Sequence, residues 1–302
     1  MYNTQILRKN LQKRGVILLI SLFSLNVFAF DAGGDSHTTV VNPLATKTSG
    51  GSQKPDLITN MDELMARQPN PNVNVNGVGI YVYDGMFSLD ALGPYQVFKS
   101  AGLKTFLIAK NKGTVTMSNG LTLAVNKSIA EVSKLDVLLI PGGAGATAMQ
   151  TIDPEVLDWI KKIDETSIYT TSVCTGAWIL GATGLLQGKD ASTHWYRANE
   201  MLTKYGAEYT GKRWTVDGKY WTSAGVTGGV DMALALVNHL FGKQYTQAVM
   251  LDMEYDPKPP VQGGSPKKSD PIIAQLMKDM YDFFLINFVN CPLGTPGACL
   301  FN

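Results

Sequence analysis

From Val75 onward, short apolar runs alternate with longer stretches of helical period. Gly77-Val78-Gly79-Ile80-Tyr81-Val82-Tyr83 reads as a strand, and Leu89–Ser100 as the helix that follows it. Lys104–Ala109 predicts a second strand. Val137-Leu138-Leu139-Ile140 is apolar throughout, as a central strand covered on both faces would be, and it stops at Pro141-Gly142-Gly143. Asp153–Glu165 predicts a helix, with Asp153 as its N-cap and Pro154 at its first position. Ile168–Ser172 is a strand and Thr175–Thr183 a helix, followed by short strands at Ala191–Thr193, Trp214–Val216 and Tyr220–Ser223. Thr227–Phe241 reads as a helix closed by Gly242, and Asp270–Phe284 as a last amphipathic helix. There is no internal repeat. Strands alternating with helices predict an α/β fold, a mostly parallel sheet with helices on both faces in three layers.

The first 74 residues lack this pattern. Arg8, Lys9, Lys13 and Arg14 precede an apolar stretch from Val16 to Phe28, and Val27-Phe28-Ala29 has the form of a cleavage site. Residues 1–29 are therefore expected to be an export signal cut after Ala29. Ser21, Ser24 and Asn26 interrupt the apolar run, and no later segment reaches membrane length. The expected location is periplasmic or secreted, with no membrane contact after cleavage. Residues 30–74, rich in Gly, Ser, Thr, Asn and Pro, read as a flexible arm with a short helix at Met61–Arg67. The folded domain is expected over 75–290, with a tail over 291–302.

Export changes how the cysteines are read. There are three, Cys174, Cys291 and Cys299, and an oxidising compartment pairs thiols. Cys291 and Cys299 bracket the turn-rich Pro-Leu-Gly-Thr-Pro-Gly-Ala, so a disulfide is predicted there, contributing about 2–3 kcal/mol for so short a loop. Cys174 is left as an odd thiol in an exported chain, which calls for an explanation. Net charge is +1 and no basic run exists, which argues against nucleic acid as a partner. His37, His194 and His239 are the only histidines; with the scattered cysteines they offer no zinc-ligand spacing, so no metal is expected.

In Thr170-Thr171-Ser172-Val173-Cys174-Thr175-Gly176-Ala177 a β-rich run stops at Cys174, and small residues then open a helix. This is the logic of a nucleophile elbow, in which a sharp strand-to-helix turn lifts one side chain above the sheet. A helix N-terminus aimed at the sulfur would lower its pKa and favour the thiolate. The competing reading is a buried structural cysteine. Ile140-Pro141-Gly142-Gly143-Ala144-Gly145 lets backbone approach a ligand and could present N–H groups to a developing oxyanion. Asp90, in Phe87-Ser88-Leu89-Asp90-Ala91-Leu92-Gly93-Pro94, is either a helix N-terminal carboxylate or a proton shuttle beside Cys174. All three segments leave strands at the carboxyl edge of the sheet, where ligands of such folds bind.

Cys174-Thr175-Gly176-Ala177-Trp178-Ile179-Leu180-Gly181-Ala182-Thr183-Gly184-Leu185-Leu186-Gln187-Gly188-Lys189 through Thr193-His194-Trp195 resembles the ThiJ/PfpI superfamily, of class I glutamine amidotransferase-like, flavodoxin-like fold. The likeness extends over Val78–Pro260. It takes in Asp90-Ala91-Leu92-Gly93-Pro94, the Pro141-Gly142-Gly143 loop, Thr222-Ser223-Ala224-Gly225-Val226-Thr227-Gly228-Gly229-Val230-Asp231 and Tyr255-Asp256-Pro257. Within the superfamily the pattern is most similar to isonitrile hydratases. The resemblance implies Cys174 as nucleophile, Asp90 as acid/base, Thr175 as an assisting hydroxyl or N–H, and Gly143 and Ala144 as the oxyanion loop. It implies hydration of an isonitrile to an N-substituted formamide without metal or organic cofactor, in a homodimer. PfpI-type proteases carry His directly after the cysteine; Thr175 stands there instead, so no Cys-His couple of that kind exists. His194 matches a family strand position and reads either as a site-lining residue or as a core histidine.

Two other functions compete. One is a glyoxalase- or deglycase-like activity. The other is a periplasmic thiol or ligand sensor, since the same fold resembles the sensor half of AraC-type regulators. The helix-turn-helix pair of those regulators would need more chain than the roughly 30 residues expected after the start of the last helix.

Overall fold

The computed structural model describes residues 58–66 and 75–293. These belong to a unit spanning Lys54–Asn302. The expected export signal, most of the arm, and Cys299 of the expected disulfide lie outside the described residues.

The described part of the arm forms one helical turn, α1 (Met61–Met65), whose N-cap Asn60 accepts from the Glu63 N–H. The Glu63 carboxylate returns to the Thr59 N–H, closing the turn. Just before it, the Ile58 N–H donates to Gln244 Oε1 at 2.8 Å, and Gln244 Nε2 donates back to the Ile58 carbonyl at 3.3 Å.

The domain then runs β1 (Val78–Tyr81), α2 (Ser88–Ser100), β2 (Thr105–Ile108), β3 (Gly113–Thr116), β4 (Thr122–Val125), β5 (Val137–Ile140), α3 (Gly145–Gln150), α4 (Pro154–Asp164), β6 (Tyr169–Val173) and α5 (Gly176–Ala182). It continues through β7 (Asp190–Ala191), α6 (Ala198–Lys204), β8 (Glu208–Tyr209), β9 (Trp214–Asp217), β10 (Tyr220–Ser223), α7 (Thr227–Phe241), α8 (Lys243–Asp252) and α9 (Pro271–Asn290). The main sheet has six strands in the order β2-β1-β5-β6-β10-β9, parallel except for β9. β1, β5 and β6 are buried at every position, as their apolar or small-residue sequences require.

Strand order fixes where the site must be. From β1 the chain steps outward to β2, whereas from β5 it steps the other way to β6. Right-handed crossovers in opposite directions put their helices on opposite faces, α2 on one and α4 on the other. The order reverses between β1 and β5, so the loops leaving those strands part and open a crevice at the carboxyl edge. Two glycines draw the helices in. A Cβ on Gly93 would lie 2.8 Å from Val230, and one on Gly229 would lie 2.8 Å from Val173. The contact of α2 with α7 depends on their lacking one.

Asp153 caps α4 as expected, accepting from the Glu155 and Val156 N–H groups, with Pro154 behind it. Four features escape the sequence pattern. The β3–β4 hairpin buries only Val115 and Val125, so its strands show no apolar alternation. α3 is a Gly-Ala-Thr segment without an apolar stripe, α6 is only seven residues long, and α8 buries only Thr246 and Val249. α9 runs six residues past the predicted end, because Leu285, Phe288 and Val289 pack into a second apolar cluster with Trp178, Tyr196, Met201 and Tyr205. Among the described residues no helix is long and apolar enough to cross a membrane.

The elbow after β6 closes against β5. A Cβ on Gly176 would meet the Ile140 carbonyl oxygen at 2.1 Å, and backbone cannot yield as a side chain can. Gly176→Ala is expected to cost about 3 kcal/mol, the upper end for overpacking. Gly145→Ala, whose Cβ would meet nothing within 4 Å, is expected to cost almost nothing. Urea unfolding midpoints of the two variants check the contrast.

Candidate active site

Three backbones bent into conformations that side chains avoid surround one point. Cys174 has φ 59°, Ala144 φ 44° and Val226 φ 44°, and the last two have ψ near −100°, outside the left-handed helical well. Such strain, of order 1–3 kcal/mol per residue, persists only where surrounding contacts hold it, and it gathers at functional sites.

Each bend has a use. At Cys174 it ends β6 and turns the chain into α5, with the Cys174 N–H held by the Ser223 carbonyl on β10. At Val226 it aims the N–H at Asp90 Oδ1, 3.1 Å away. The other carboxyl oxygen, Oδ2, accepts from the Gly142 N–H at 3.1 Å. Asp90 sits in the first turn of α2, with the Cys174 thiol beside its carboxyl. Asp90 and Cys174 are both completely buried.

Burial decides the protonation states. It pushes the Asp90 carboxyl up to about 7, against the pull of the thiol and the two N–H groups. It also pushes the Cys174 thiol well above its ordinary range; the Asp90 charge adds to this, and the Thr175 N–H opposes it. The sequence pointed the other way, to an exposed thiolate favoured by a helix dipole. The finding corrects that expectation: α5 has only seven residues, too few for a strong dipole, and desolvation beside a carboxyl outweighs it. At rest the sulfur is a protonated thiol beside the carboxyl group, not one half of an ion pair.

The glycine loop also differs from expectation. Thr175 Oγ1 accepts from the Gly143 N–H at 3.1 Å and the Ala144 N–H at 3.2 Å. Thr147 Oγ1 takes the Gly143 N–H at 2.8 Å and pairs with Thr175 Oγ1 at 2.7 Å. The loop N–H groups expected to face an oxyanion are thus occupied by hydroxyls, and Thr175 acts as the fastener of the loop. The Tyr83 hydroxyl completes the chain, donating to the Pro141 carbonyl at 3.0 Å and lying 3.1 Å from Thr147 Oγ1. Gly142 must be glycine, since its Cβ would fall 2.6 Å from the Thr175 nitrogen.

His194 lies at the site. A Cβ on Gly225 would be 3.0 Å from the His194 ring and 3.5 Å from the Cys174 sulfur. Burial lowers the imidazole to about 4, so it is neutral, and its Nδ1 accepts the Tyr196 N–H at 3.3 Å. The next ring out is Tyr281 of α9, whose centroid is 5.0 Å from that of His194. Burial, followed by the Cys174 and Asp90 charges, raises the Tyr281 phenol. Thr147, Tyr83, Val226 and Tyr281 were not singled out from sequence. The first stands in an unpredicted helix, and Tyr281 lies more than a hundred residues from Cys174, with no local signal to connect them. His239 sits elsewhere, exposed on α7 beside Tyr169 and Trp221. Among the described residues Cys174 is the free cysteine, and no cluster of His, Cys, Asp or Glu converges as metal ligands would.

Residues 77–239 match the model of the DJ-1/PfpI family. Isonitrile hydratase of Pseudomonas putida is 40% identical over 190 residues, covering 63% of this chain and 82% of that protein. A protein named as a deglycase in Thermococcus kodakarensis is 27% identical over 143 residues, 47% of this chain and 84% of its own length. The crystal structure of a ThiJ/PfpI family protein from Pseudomonas syringae superposes with a TM-score of 0.70 at 31% identity, covering 82% of this chain and 99% of that one. Drosophila melanogaster DJ-1beta, at 21% identity and a TM-score of 0.54, covers 60% of this chain and all but 2% of its own, and shares the fold. The family match takes in more than half of the chain, with Asp90, the Pro141–Gly143 loop, Cys174 and His194 all inside it, and by that measure the chain belongs to the DJ-1/PfpI family.

Proposed function

We propose that this protein is a cysteine-dependent hydratase that adds water to small isonitriles, giving N-substituted formamides. The observation that carries the reading is the buried Asp90 carboxyl beside the Cys174 thiol, held in place by the Gly142 and Val226 N–H groups. An isonitrile receives both a nucleophile and a proton at one atom, its terminal carbon. A preformed thiolate supplies only the first. A thiol beside a carboxyl of pKa about 7 supplies both. The 40% identical isonitrile hydratase supports the same choice.

The steps balance on water alone. As Sγ bonds the isonitrile carbon, the thiol proton passes to the Asp90 carboxylate, and Asp90 delivers it to that carbon. This leaves a thioimidate, Cys174–S–CH=N–R. Water then adds to the same carbon; one of its protons passes through Asp90 to nitrogen, and the hydroxyl remains. The C–S bond breaks, the hydroxyl proton returns through Asp90 to sulfur, and R–NH–CHO leaves. Thr175 and Thr147 contribute by fixing the loop that presents the Gly142 N–H to Asp90.

The test is formamide formation from an alkyl isonitrile, followed by NMR. Wild type is expected to turn over, Cys174→Ala to lose at least about a thousandfold, and Asp90→Asn to lose about 10²–10⁴-fold. Undiminished turnover by Cys174→Ala would overturn the reading, as would methylglyoxal conversion by wild type without isonitrile hydration.

The pH profile follows from the sign of the Asp90 shift. The carboxylate is the form that accepts the thiol proton, so the active form accumulates as pH rises through the raised pKa. kcat/KM is expected to climb with a midpoint near 7. A midpoint in the ordinary carboxylate range near 4 would contradict it.

A further inference from the structure

The sulfur and the carboxyl are both sealed from solvent, so a substrate reaches them only when something above them moves. Outward from His194 the next element is α9, whose Tyr281 ring packs on the imidazole at 5.0 Å. It lies beyond residue 239, where the family match ends. We propose that α9 up to Tyr281 is a liftable roof over Cys174, and that Tyr281 is the residue on it that contacts the substrate and selects isonitriles with a neutral, bulky apolar or aromatic substituent. The substrate class rests on the hydratase reading; the roof does not.

The two halves of α9 are held differently. Its buried residues, Leu285, Phe288 and Val289, all lie in the second half. There Lys204 Nζ donates to the Phe288 and Val289 carbonyls at 3.1 and 3.2 Å, satisfying groups that a helix end leaves open. In the first half Ile272, Ile273 and Leu276 are more than half exposed and anchor nothing. The boundary between the halves is fastened by one carboxylate. Asp282 Oδ1 accepts from the Tyr196 hydroxyl and from Arg197 Nε, each at 2.8 Å, and its Oδ2 faces Lys278. This clasp is polar and partly solvated, so it opens at modest cost, whereas the apolar half stays seated.

Tyr281 stands next to the clasp and faces inward. Its ring packs against His194 at 5.0 Å, Tyr196 at 5.2 Å and Trp195 at 5.7 Å, and both His194 and the sulfur border Gly225. On this reading the substituent of an isonitrile bonded to Sγ lies against these rings. They are aromatic and carry no charge, since the imidazole is neutral. Such a wall favours apolar or aromatic substituents and disfavours carboxylates, which meet the negative faces of the rings.

Two readouts on the full chain separate the roof from the chemistry. The first uses no isonitrile: the rate at which Cys174 is alkylated by iodoacetamide and by the bulkier N-phenylmaleimide, with the label located by peptide mass. Asp282→Ala and Tyr281→Ala are each expected to speed labelling about tenfold, more for the bulky reagent, while Tyr281→Phe stays near wild type. Equal labelling in all four proteins would overturn the roof. Far-ultraviolet circular dichroism checks the fold, and Asp282→Ala decides the matter if Tyr281→Ala does not fold. The second readout is the ratio of kcat/KM for phenyl over methyl isonitrile. It is expected to fall about tenfold in Tyr281→Ala and to hold in Tyr281→Phe; an unchanged ratio in both would overturn Tyr281 as the selecting residue. Faster labelling with no isonitrile turnover in any protein would keep the roof and remove the hydratase reading.

Discussion

A carboxyl group and a thiol stand side by side, buried away from solvent in the resting protein, and the surrounding fold is arranged to keep them there. Asp90 rides on α2, Cys174 on the elbow after β6, and the two N–H groups on the carboxyl come from the β5 loop and the turn before α7. Four separate elements must therefore meet at one carboxylate. They meet because strand order reverses between β1 and β5, and because glycines at 93, 176 and 229 remove the side chains that would hold the layers apart. The strained backbones at Ala144, Cys174 and Val226 are the local consequence.

Burial of this kind has a thermodynamic sign. Asp90 holds its proton up to about 7 in the fold, while an unfolded carboxyl releases it near 4. The folded state thus binds more protons across that window, and the stability tied to this group declines as pH rises through it. A site tuned for chemistry rather than for stability is expected to look like this. The same desolvation explains why the thiol is raised and His194 lowered: each group is pushed toward its uncharged form, and together they make a neutral pocket.

Much of this arrangement was legible in the order of residues. The apolar run of β5, the Asp153-Pro154 start of α4 and the full extent of α7 carry strong local signals, and the structure has them. The convergence of Asp90, the Pro141–Gly143 loop and Cys174 followed from parallel-sheet topology alone. What stayed hidden depended on contacts between distant segments. Nothing near Thr147 announces that its hydroxyl will meet that of Thr175, and nothing in α9 announces that Tyr281 will face His194. The charge state of Cys174 was misread because a strand-to-helix turn looks the same in sequence whether or not the layers above it exclude water. Tyr281, which packs on His194 at the edge of the site, comes from more than a hundred residues away.

The state of the sulfur at rest is the point on which the account stands. Selective carbon-13 labelling of cysteine β-carbons lets the Cys174 resonance be followed with pH in the wild-type chain, since thiol and thiolate differ in shift. The account predicts that Cys174 stays a thiol through neutral pH and beyond about pH 9, the ordinary thiol value, while a smaller step near 7 reports the ionisation of Asp90 beside it. A thiolate already formed below neutrality would contradict it.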